Sequence, residues 1–197
     1  ISVPSHIVNL KPYVSGKSVD EAAREYGVLD AIKLASNENP LGSPGRSIEA
    51  IKASLSSLAV YPDAGRGLRM ALADRFVIKP ENVVCGSGSE SIVAAAMRAY
   101  LDRDDEMITS EGTFVGFQVL ARAWGGKTHY VPLKNYGFDL QGIASRVTEK
   151  TKIVYIANPN NPTGTAVTTD ELERFIARVP DSVLVIMDEA YFEYADG

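Results

Sequence analysis

The chain has 197 residues, of which 20 are basic and 25 acidic, and its formal net charge is −5. This length can enclose a substantial core, while the acidic balance and the lack of a lysine and arginine cluster argue against nucleic acid as a partner. A single cysteine, Cys85, excludes an internal disulfide framework and suits a reducing compartment, so we expect a cytoplasmic protein. No stretch has the length of a membrane span. His6 and His129 have no companions at metal-site spacing, so no metal is expected.

The first part of the chain predicts an arm followed by two helices. Residues 1–35 combine prolines and glycines with one helical pattern near Val19 to Tyr26, which indicates a segment that packs on another unit. A short apolar strand at Leu34-Ala35 should lead into the polar turn at 37–42. Three consecutive amide or acid side chains exceed what a turn needs, so we interpret it as a ligand-facing loop, with plain turn chemistry as the alternative. Apolar residues at helical spacing lie on both sides of Tyr61-Pro62-Asp63 and predict the two helices.

A glycine-rich turn separates a predicted strand, Val83-Val84-Cys85, from a helix with one apolar face. The turn reads Gly86-Ser87-Gly88-Ser89-Glu90. A strand, a glycine turn and a helix start together can bind phosphate, through free N–H groups and the positive end of the helix dipole. The glycine spacing matches neither the dinucleotide motif nor the P-loop. Serines that only cap the helix are therefore the alternative.

Four apolar runs alternate with helical patterns and predict an α/β fold with a largely parallel sheet covered by helices. The runs lie at Met107-Ile108, Tyr130-Val131, Ile153 to Ile156 and Val183 to Met187. The last run has five apolar residues in a row, which predicts a strand buried on both faces. The helical pattern before it begins with Thr168 and Glu171 at the spacing of a capping box.

Polar and aromatic side chains follow the predicted strands, at the edge where open α/β sheets bind ligands. Asp188 can hold a cation or a protonated ring nitrogen, and Tyr191 offers a hydroxyl from the same turn. The alternative is a turn acid with a tyrosine packed beneath it. The X-Pro steps of the loop at 157–164 exclude helix and can hold the Asn161 amide in one place. Phe114 by itself is more typical of a core than of a stacking platform.

In combination, these motifs resemble those of the fold-type I, pyridoxal-phosphate-dependent aminotransferases of class I and II. Within that group the chain is most similar to the histidinol-phosphate aminotransferase family, whose pattern includes an Asn-Glu-Asn-Pro-x-Gly loop, here at 37–42, and Tyr-Pro-Asp, here at 61–63. The resemblance extends from about Leu10 to Tyr194. It implies that residues 1–35 form an arm or part of the small domain, and that residues 36–197 form the N-terminal part of the cofactor-binding large domain.

The resemblance implies pyridoxal 5'-phosphate as the cofactor and gives each motif a role toward it. Asp188 would pair with the protonated pyridine nitrogen, so that the ring can absorb the electron pair left by the departing Cα proton. Tyr191 and Asn161 would hydrogen-bond the ring's 3-oxygen, and the peptide bond after Asn161 is expected to be cis. Ser89 and the backbone at Glu90 would hold the cofactor phosphate.

Further residues would complete the site from other parts of the chain. Phe114 would stack on the ring face. Tyr61 would reach the phosphate of the neighbouring subunit's cofactor, which implies a homodimer with shared active sites. The substrate side would be lined by Asn37, Asn39 and Gly42.

The chain departs from the family's pattern in three ways. Glu90-Ser91 stands where Asp-Glu is usual, and Phe114 stands where a tyrosine is common, which loosens the substrate assignment. The family's catalytic lysine lies a few dozen residues beyond the Asp-x-Ala-Tyr motif, whereas the last lysine of this chain is Lys152. We therefore expect the chain to be the first half of an enzyme and to be inactive alone.

The resemblance implies that the enzyme transfers an amino group between histidinol phosphate and 2-oxoglutarate, giving imidazole-acetol phosphate and glutamate in histidine biosynthesis. The same cofactor chemistry on aromatic amino acids, or on threonine phosphate with decarboxylation, stays open. A hypothesis of a different class is a non-catalytic, phosphate-binding α/β module. It predicts a stable monomer without a pyridoxal spectrum, whereas the enzyme predicts a homodimer that binds pyridoxal phosphate.

Overall fold

The computed structural model describes residues 2–11, 16–28 and 30–195. The chain divides into two compact units, one formed by Ile1–Tyr13 with Val84–Gly197 and the other by Val14–Val83. The domain boundary expected at residue 35 stays a prediction. Within the described ranges, no helix is both long and apolar enough to cross a membrane.

Helices and parallel strands alternate along the larger unit, as the sequence predicts. The α-helices of the described residues are α1 (Ser5–Val8), α2 (Val19–Tyr26), α3 (Gly45–Ser54), α4 (Arg66–Phe76), α5 (Ser89–Tyr100), α6 (Val115–Trp124), α7 (Leu140–Ala144) and α8 (Thr169–Ile176). The strands are β1 (Glu106–Ser110), β2 (Lys127–Val131), β3 (Thr151–Ala157) and β4 (Leu184–Asp188). Single turns of 3-10 helix lie at Leu55–Ser57, Pro80–Asn82 and Phe192–Tyr194.

The four strands form one parallel sheet in the order β2-β1-β3-β4. The central strands are the most deeply buried: every residue of β1 is buried, and so is every residue of β3 except Lys152. All five residues of β4 are only half-buried. The prediction that this run is buried on both faces is wrong, because β4 is an edge strand of the sheet in the described chain and has a neighbour on one side only.

Large apolar side chains from the helices pack on the two central strands. Phe117 of α6 and Phe175 of α8 are each 1% exposed or less, and both belong to the cluster that contains the buried residues of β1 and β3. Val93 and Met97 bring α5 into the same cluster. At the start of α8, Thr168 and Glu171 form the capping box that their spacing predicts. These contacts fix the helices that border the carboxyl edge of the sheet.

Two short apolar segments that the sequence predicts as strands, Leu34-Ala35 and Val83-Val84-Cys85, are not strands. Val83 has extended dihedral angles, with φ −111° and ψ 125°. A strand also needs a neighbour that accepts and donates backbone hydrogen bonds. In the described part of the chain neither segment is paired in the sheet, so both stay extended or irregular.

The smaller unit contains α2, α3 and α4. Ser18 accepts a hydrogen bond from the backbone N–H of Glu21 at the start of α2, and Gly27 ends that helix with φ +67°. Before α4, the Asp63 carboxylate accepts hydrogen bonds from the backbone N–H groups of Gly65 at 3.0 Å and Gly67 at 2.9 Å. These backbone donors lower the pKa of Asp63. The helices α3 and α4 lie on the two sides of the Tyr-Pro-Asp motif, so the prediction of these two helices is confirmed.

Candidate active site

The carboxyl ends of β3 and β4 lie side by side. Ala157 pairs with Asp188 in the parallel register, and the backbone N–H of Asn158 donates to the Asp188 carbonyl at 2.9 Å. Because both strands are parallel, the loop after β3 and the turn after β4 begin at the same edge of the sheet. Polar side chains stand at this edge on both strands, Asn158 directly after β3 and Asp188 at the end of β4.

A cavity of about 160 Å³ lies at this edge. Its lining includes five of the residues that the sequence singles out, together with three neighbours from the same loops. The lining residues are Ser89, Phe114, Ala157, Pro159, Asn161, Asp188, Ala190 and Tyr191. The structure thus brings together side chains from the start of α5, the loop after β1, the loop after β3 and the turn after β4.

Asp188 is the acidic group of this cavity, and neutral donors hold its carboxylate. The Tyr155 hydroxyl donates to Asp188 Oδ2 at 2.7 Å, and the backbone N–H of Ala190 donates to Oδ1 at 3.3 Å. Among the described residues, no lysine, arginine or histidine forms an ion pair with it. The carboxylate is therefore oriented by the protein without being neutralised by it.

Tyr191 and Asn161 converge on the same cavity from different loops. The Asn161 side-chain amide donates to the Tyr191 hydroxyl at 3.5 Å, a long hydrogen bond. Both groups can donate a hydrogen bond to a third oxygen placed between them. Their roles toward a cofactor stay predictions.

Hydrogen bonds from its asparagine side chains fix the loop after β3. Asn160 is 2% exposed, and its Nδ2 donates to the Gly112 carbonyl at 3.0 Å and to Thr163 Oγ1 at 2.7 Å. Asn158 Oδ1 accepts from the backbone N–H of Val167 at 2.8 Å. The bond between Asn161 and Pro162 is cis, as expected, and so is the bond between Asn158 and Pro159. The Asn161 amide is thus presented from a braced loop.

The turn before α5 leaves the start of that helix without a side-chain cap. Gly88 precedes the helix with φ +82°, a backbone conformation that glycine adopts without strain, and no side chain caps the helix start. At Gly86 a Cβ atom would lie 2.3 Å from Ser91 Oγ. Because no side chain caps the helix, the alternative interpretation, in which the serines only cap it, is wrong. The N–H groups of the first turn of α5 lie beside the cavity, since Ser89 is one of its lining residues.

Phe114 lies against a gap that only glycine leaves open. A Cβ atom on Gly116 would lie 2.3 Å from Glu90 Oε1 and 2.5 Å from Phe114 Cε1. The Phe114 ring and the Glu90 side chain thus both pass over the start of α6. Phe114 is partly buried on the core and also lines the cavity, so the core and stacking interpretations are compatible.

The other residues singled out by the sequence lie in the smaller unit. Tyr61 is 93% exposed. In the Asn-Glu-Asn-Pro loop, Asn37 has φ +51° and Gly42 has φ +78°, and Asn39 Oδ1 accepts from the backbone N–H of Leu41 at 3.0 Å. Asn39 therefore has the turn chemistry that was the alternative interpretation. A ligand contact of this loop stays a prediction.

Sequence reasoning missed two residues that support the site. The apolar run from Ile153 to Ile156 predicts Tyr155 only as one residue of a buried strand, whereas in the structure its hydroxyl reaches Asp188. The two X-Pro steps predict Asn160 only as part of a stiff loop, whereas in the structure its buried amide joins that loop to the one after β1. One sequence signal could have identified Tyr155. It is a tyrosine two positions before the end of a strand, so that its side chain lies on the same face of the sheet as an acid on the neighbouring strand. It requires the strand order, which the sequence alone did not provide.

The chain belongs to the class I and II aminotransferase family, which matches residues 30–197. Its fold is accordingly that of the fold-type I, pyridoxal-phosphate-dependent aminotransferases, as the motifs predicted. The chain is similar to histidinol-phosphate aminotransferases, as the sequence resemblance also indicated.

Two relatives and one solved structure illustrate this similarity. The chain is 44% identical over 194 residues to histidinol-phosphate aminotransferase 2 of Pseudomonas aeruginosa, covering 97% of this chain and 53% of that protein. It is 40% identical over 189 residues to histidinol-phosphate aminotransferase 2 of Haemophilus influenzae, covering 95% and 52%. The crystal structure of histidinol-phosphate aminotransferase from Sinorhizobium meliloti in complex with pyridoxal-5'-phosphate superimposes with a TM-score of 0.87 and 26% identity, covering 98% of this chain and 52% of that one. The chain thus spans about half the length of the relatives it matches.

Proposed function

We propose that this chain is part of a pyridoxal-phosphate-dependent aminotransferase that transfers an amino group between histidinol phosphate and 2-oxoglutarate. The observation that carries the proposal is the cavity at the carboxyl edge of the sheet, where Ser89, Phe114, Asn161, Asp188 and Tyr191 meet. Identities of 40% and 44% to histidinol-phosphate aminotransferases support the choice of substrate. The cytoplasm is the proposed compartment, which the single cysteine supports.

The residues of the cavity offer a chemically suitable partner to each part of pyridoxal phosphate. The capless start of α5 offers backbone N–H groups and the positive end of a helix dipole to a phosphate. Asp188 offers a carboxylate with no protein cation beside it in the described residues to a protonated ring nitrogen. Asn161 and Tyr191 can donate hydrogen bonds to an oxygen on the ring, and Phe114 offers an aromatic face.

When bound, the cofactor supplies an electron sink for the pair left as a Cα proton departs. The chain's own residues bind and orient it. The Asp188 carboxylate would hold a proton on the ring nitrogen, because a negative charge at hydrogen-bond distance favours the protonated form of a base. Phe114 would keep water away from one face of the ring.

We further propose a homodimer in which Tyr61 reaches the phosphate site of the partner subunit. Tyr61 is 93% exposed, and large apolar side chains close to it in sequence are exposed as well, among them Leu58 at 76% and Val60 at 70%. An exposed apolar patch of this kind is typical of an interaction surface. Asn37, Asn39 and Gly42 are proposed to line the substrate side.

The lysine that binds the cofactor covalently in this family is proposed to lie outside these 197 residues, because the last lysine here is Lys152. The test is the complete gene product, incubated with pyridoxal phosphate and reduced with borohydride before intact-mass and peptide-mass measurement. We expect one cofactor adduct per subunit, on a lysine that follows the Asp-Glu-Ala-Tyr motif. A protein without an adduct and without visible absorption would overturn the proposal and favour the non-catalytic module.

Substrate choice is tested on the same preparation by glutamate formation from histidinol phosphate and 2-oxoglutarate. Phenylalanine and threonine phosphate are the matched competing substrates, the latter with CO₂ release as the readout. We expect kcat/KM for histidinol phosphate to exceed both by at least roughly 10²-fold, because a site that hydrogen-bonds groups of its substrate discriminates by more than an apolar pocket does. A protein that carries the adduct but prefers either competitor would keep the cofactor chemistry and replace the substrate.

A further inference from the structure

Tyr155 is among the largest side chains that are fully buried, at 0% exposure, and yet it has a polar end. Its ring lies 4.1 Å from the ring of Phe117, centroid to centroid, with 14° between the planes. Its backbone carbonyl accepts a hydrogen bond from Thr109 Oγ1 at 3.0 Å. The residue is thus fixed by the central strands at its backbone and by α6 at its ring.

The hydroxyl of Tyr155 is directed at Asp188 by the register of the sheet. Side chains two positions apart on a strand share a face, so Tyr155 lies on the same face as Ala157, the residue that pairs with Asp188. The hydroxyl therefore spans the diagonal from β3 to the end of β4 and reaches Oδ2 at 2.7 Å. With the backbone N–H of Ala190 on Oδ1 at 3.3 Å, donors hold the carboxylate on both oxygens and fix its plane.

The Tyr155 hydroxyl keeps its proton and is a permanent donor. Burial raises its pKa far above the ordinary value of 10, and the hydrogen bond to the Asp188 carboxylate raises it further. The nearby Glu90 and Tyr191 act in the same direction. A neutral donor orients Asp188 and leaves its negative charge available, whereas a lysine in this place would cancel that charge.

We propose that Tyr155 is a positioning residue that holds the Asp188 carboxylate in the orientation that binds the protonated ring nitrogen of the cofactor. The inference rests on the proposed function, because it assigns Tyr155 a role toward the same ring. Tyr155 touches Asp188 and not the reacting atoms. Its effect is therefore expected on how well the carboxylate holds the ring and on the charge state of the ring.

The test is Tyr155→Phe in the complete gene product, because this change keeps the ring that stacks on Phe117 and removes only the hydroxyl. The matched control is Tyr130→Phe, which makes the same chemical change in β2 of the same sheet. The readouts are the dissociation constant of pyridoxal phosphate by absorbance titration, the pH at which the bound cofactor's absorption band changes, and kcat and KM separately.

For Tyr155→Phe we expect about a tenfold weaker cofactor affinity, since a hydrogen bond to a charged group is lost at the ring's anchor. The pH midpoint of the absorption change should shift by about one unit, because a less well-held carboxylate stabilises the protonated ring less and the charge of the ring acts on the groups conjugated to it. The rate constant kcat should fall about tenfold, with KM for histidinol phosphate within twofold of wild type. Tyr130→Phe should match wild type in all readouts.

A purely structural role would lower the melting temperature of Tyr155→Phe and leave affinity, pH midpoint and kcat at the wild-type values, which would overturn the inference. A double variant with Asp188→Asn provides a second check: Tyr155→Phe should then weaken cofactor affinity by less than twofold, because its target is gone. An unchanged tenfold effect in that background would also overturn the inference. If wild type binds no pyridoxal phosphate, the proposed function falls as well, whereas normal wild-type binding with an unaffected Tyr155→Phe removes this inference alone.

Discussion

The two edges of the sheet each contain a carboxylate that the protein holds firmly, and they hold it in different ways. At the amino edge, Glu106 begins β1 and is 7% exposed. Its Oε1 accepts a hydrogen bond from Lys127 Nζ at 2.8 Å, and its Oε2 accepts one from Thr148 Oγ1 at 3.4 Å and lies 2.7 Å from His129 Nε2. At the carboxyl edge, Asp188 is half-buried and accepts from a phenol and a backbone N–H.

The difference lies in the partners' charge. The cationic and neutral donors around Glu106 pair with both carboxylate oxygens and offset the negative charge. We therefore expect Glu106 to contribute to stability and not to bind a ligand. The donors around Asp188 are neutral, so they orient the carboxylate beside the cavity without offsetting its charge. A buried acid with a cation partner is typical of structure, and a well-oriented acid without one is typical of a binding site.

The sharpest way to break this comparison is Asp188→Asn beside Glu106→Gln in the complete gene product. Asp188→Asn should lower kcat/KM on the order of 10²- to 10³-fold, because the charge that stabilises the protonated ring is lost from a preorganised site. It should leave the melting temperature near that of wild type. Glu106→Gln should lower the melting temperature and leave kcat/KM near that of wild type. A large loss of activity from Glu106→Gln at full cofactor occupancy would contradict the assignment of the two edges.

Gly116→Ala asks whether the carboxyl edge depends on shape as well as charge. The new Cβ atom would meet Glu90 and Phe114 at 2.3 and 2.5 Å, so these side chains must shift, and with them the Phe114 ring that lines the cavity. We expect cofactor affinity to fall about tenfold, the equivalent of one lost stacking contact. Gly67→Ala is the matched control, since Gly67 is also the second residue of a helix and its Cβ would lie at an ordinary 3.5 Å from Asp63. Equal losses for both variants would contradict a role of Phe114 in the cavity.

The stability assigned to the amino edge is measured by chemical denaturation of Glu106→Gln. The amide keeps the shape of the side chain and loses the charge-assisted part of its hydrogen bonds, so the free energy of unfolding should fall by about 1 to 2 kcal/mol. Glu49→Gln removes the exposed ion pair with Lys52 in α3 and should change it by less than about 0.5 kcal/mol. Similar losses in both variants would show that burial of Glu106 adds nothing.

The smallest expected effect is the acid dependence of that stability. Hydrogen bonds from Lys127 and His129 lower the pKa of Glu106 from 4.5 to about 2 in the folded state. Between these values the unfolded chain binds the proton and the folded one does not, so this stabilisation is complete above pH 4.5 and is lost as the pH falls toward 2. Denaturation at pH 6, 4 and 3 should show the gap between wild type and Glu106→Gln narrowing. A gap that widens toward pH 3 would reverse the sign and refute the pairing.

Much of the fold was predictable because apolar runs and helical spacing act locally. The strands at Met107, Tyr130, Ile153 and Val183 and the capping box at Thr168 follow from short stretches of sequence. The failed predictions all depend on neighbours. Val83-Val84-Cys85 lacks a strand partner in the described sheet, and β4 is half-exposed because of its position in the strand order. Neither the missing strand partner nor the edge position can be deduced from the residues of the segment alone.

The site divides in the same way. Asp188, Asn161 and Ser89 stand at the ends of elements, where a polar residue is conspicuous, and the structure gathers them in one cavity. Tyr155 lies inside an apolar run, where a tyrosine fits a strand by propensity alone. Its hydroxyl gains a purpose only when the register of β3 and β4 is known. The sequence therefore predicts Asp188 as a site residue but does not predict Tyr155, which orients it.

The central position of β3 also sets a time scale. Strands flanked on both sides and buried on both faces release their amide hydrogens to solvent only when the whole domain opens. Tyr155 belongs to such a strand, so we expect the backbone that carries it to open only together with the whole domain. Local fluctuations can move the loops around the cavity, but the carboxylate's anchor persists for as long as the domain itself stays folded.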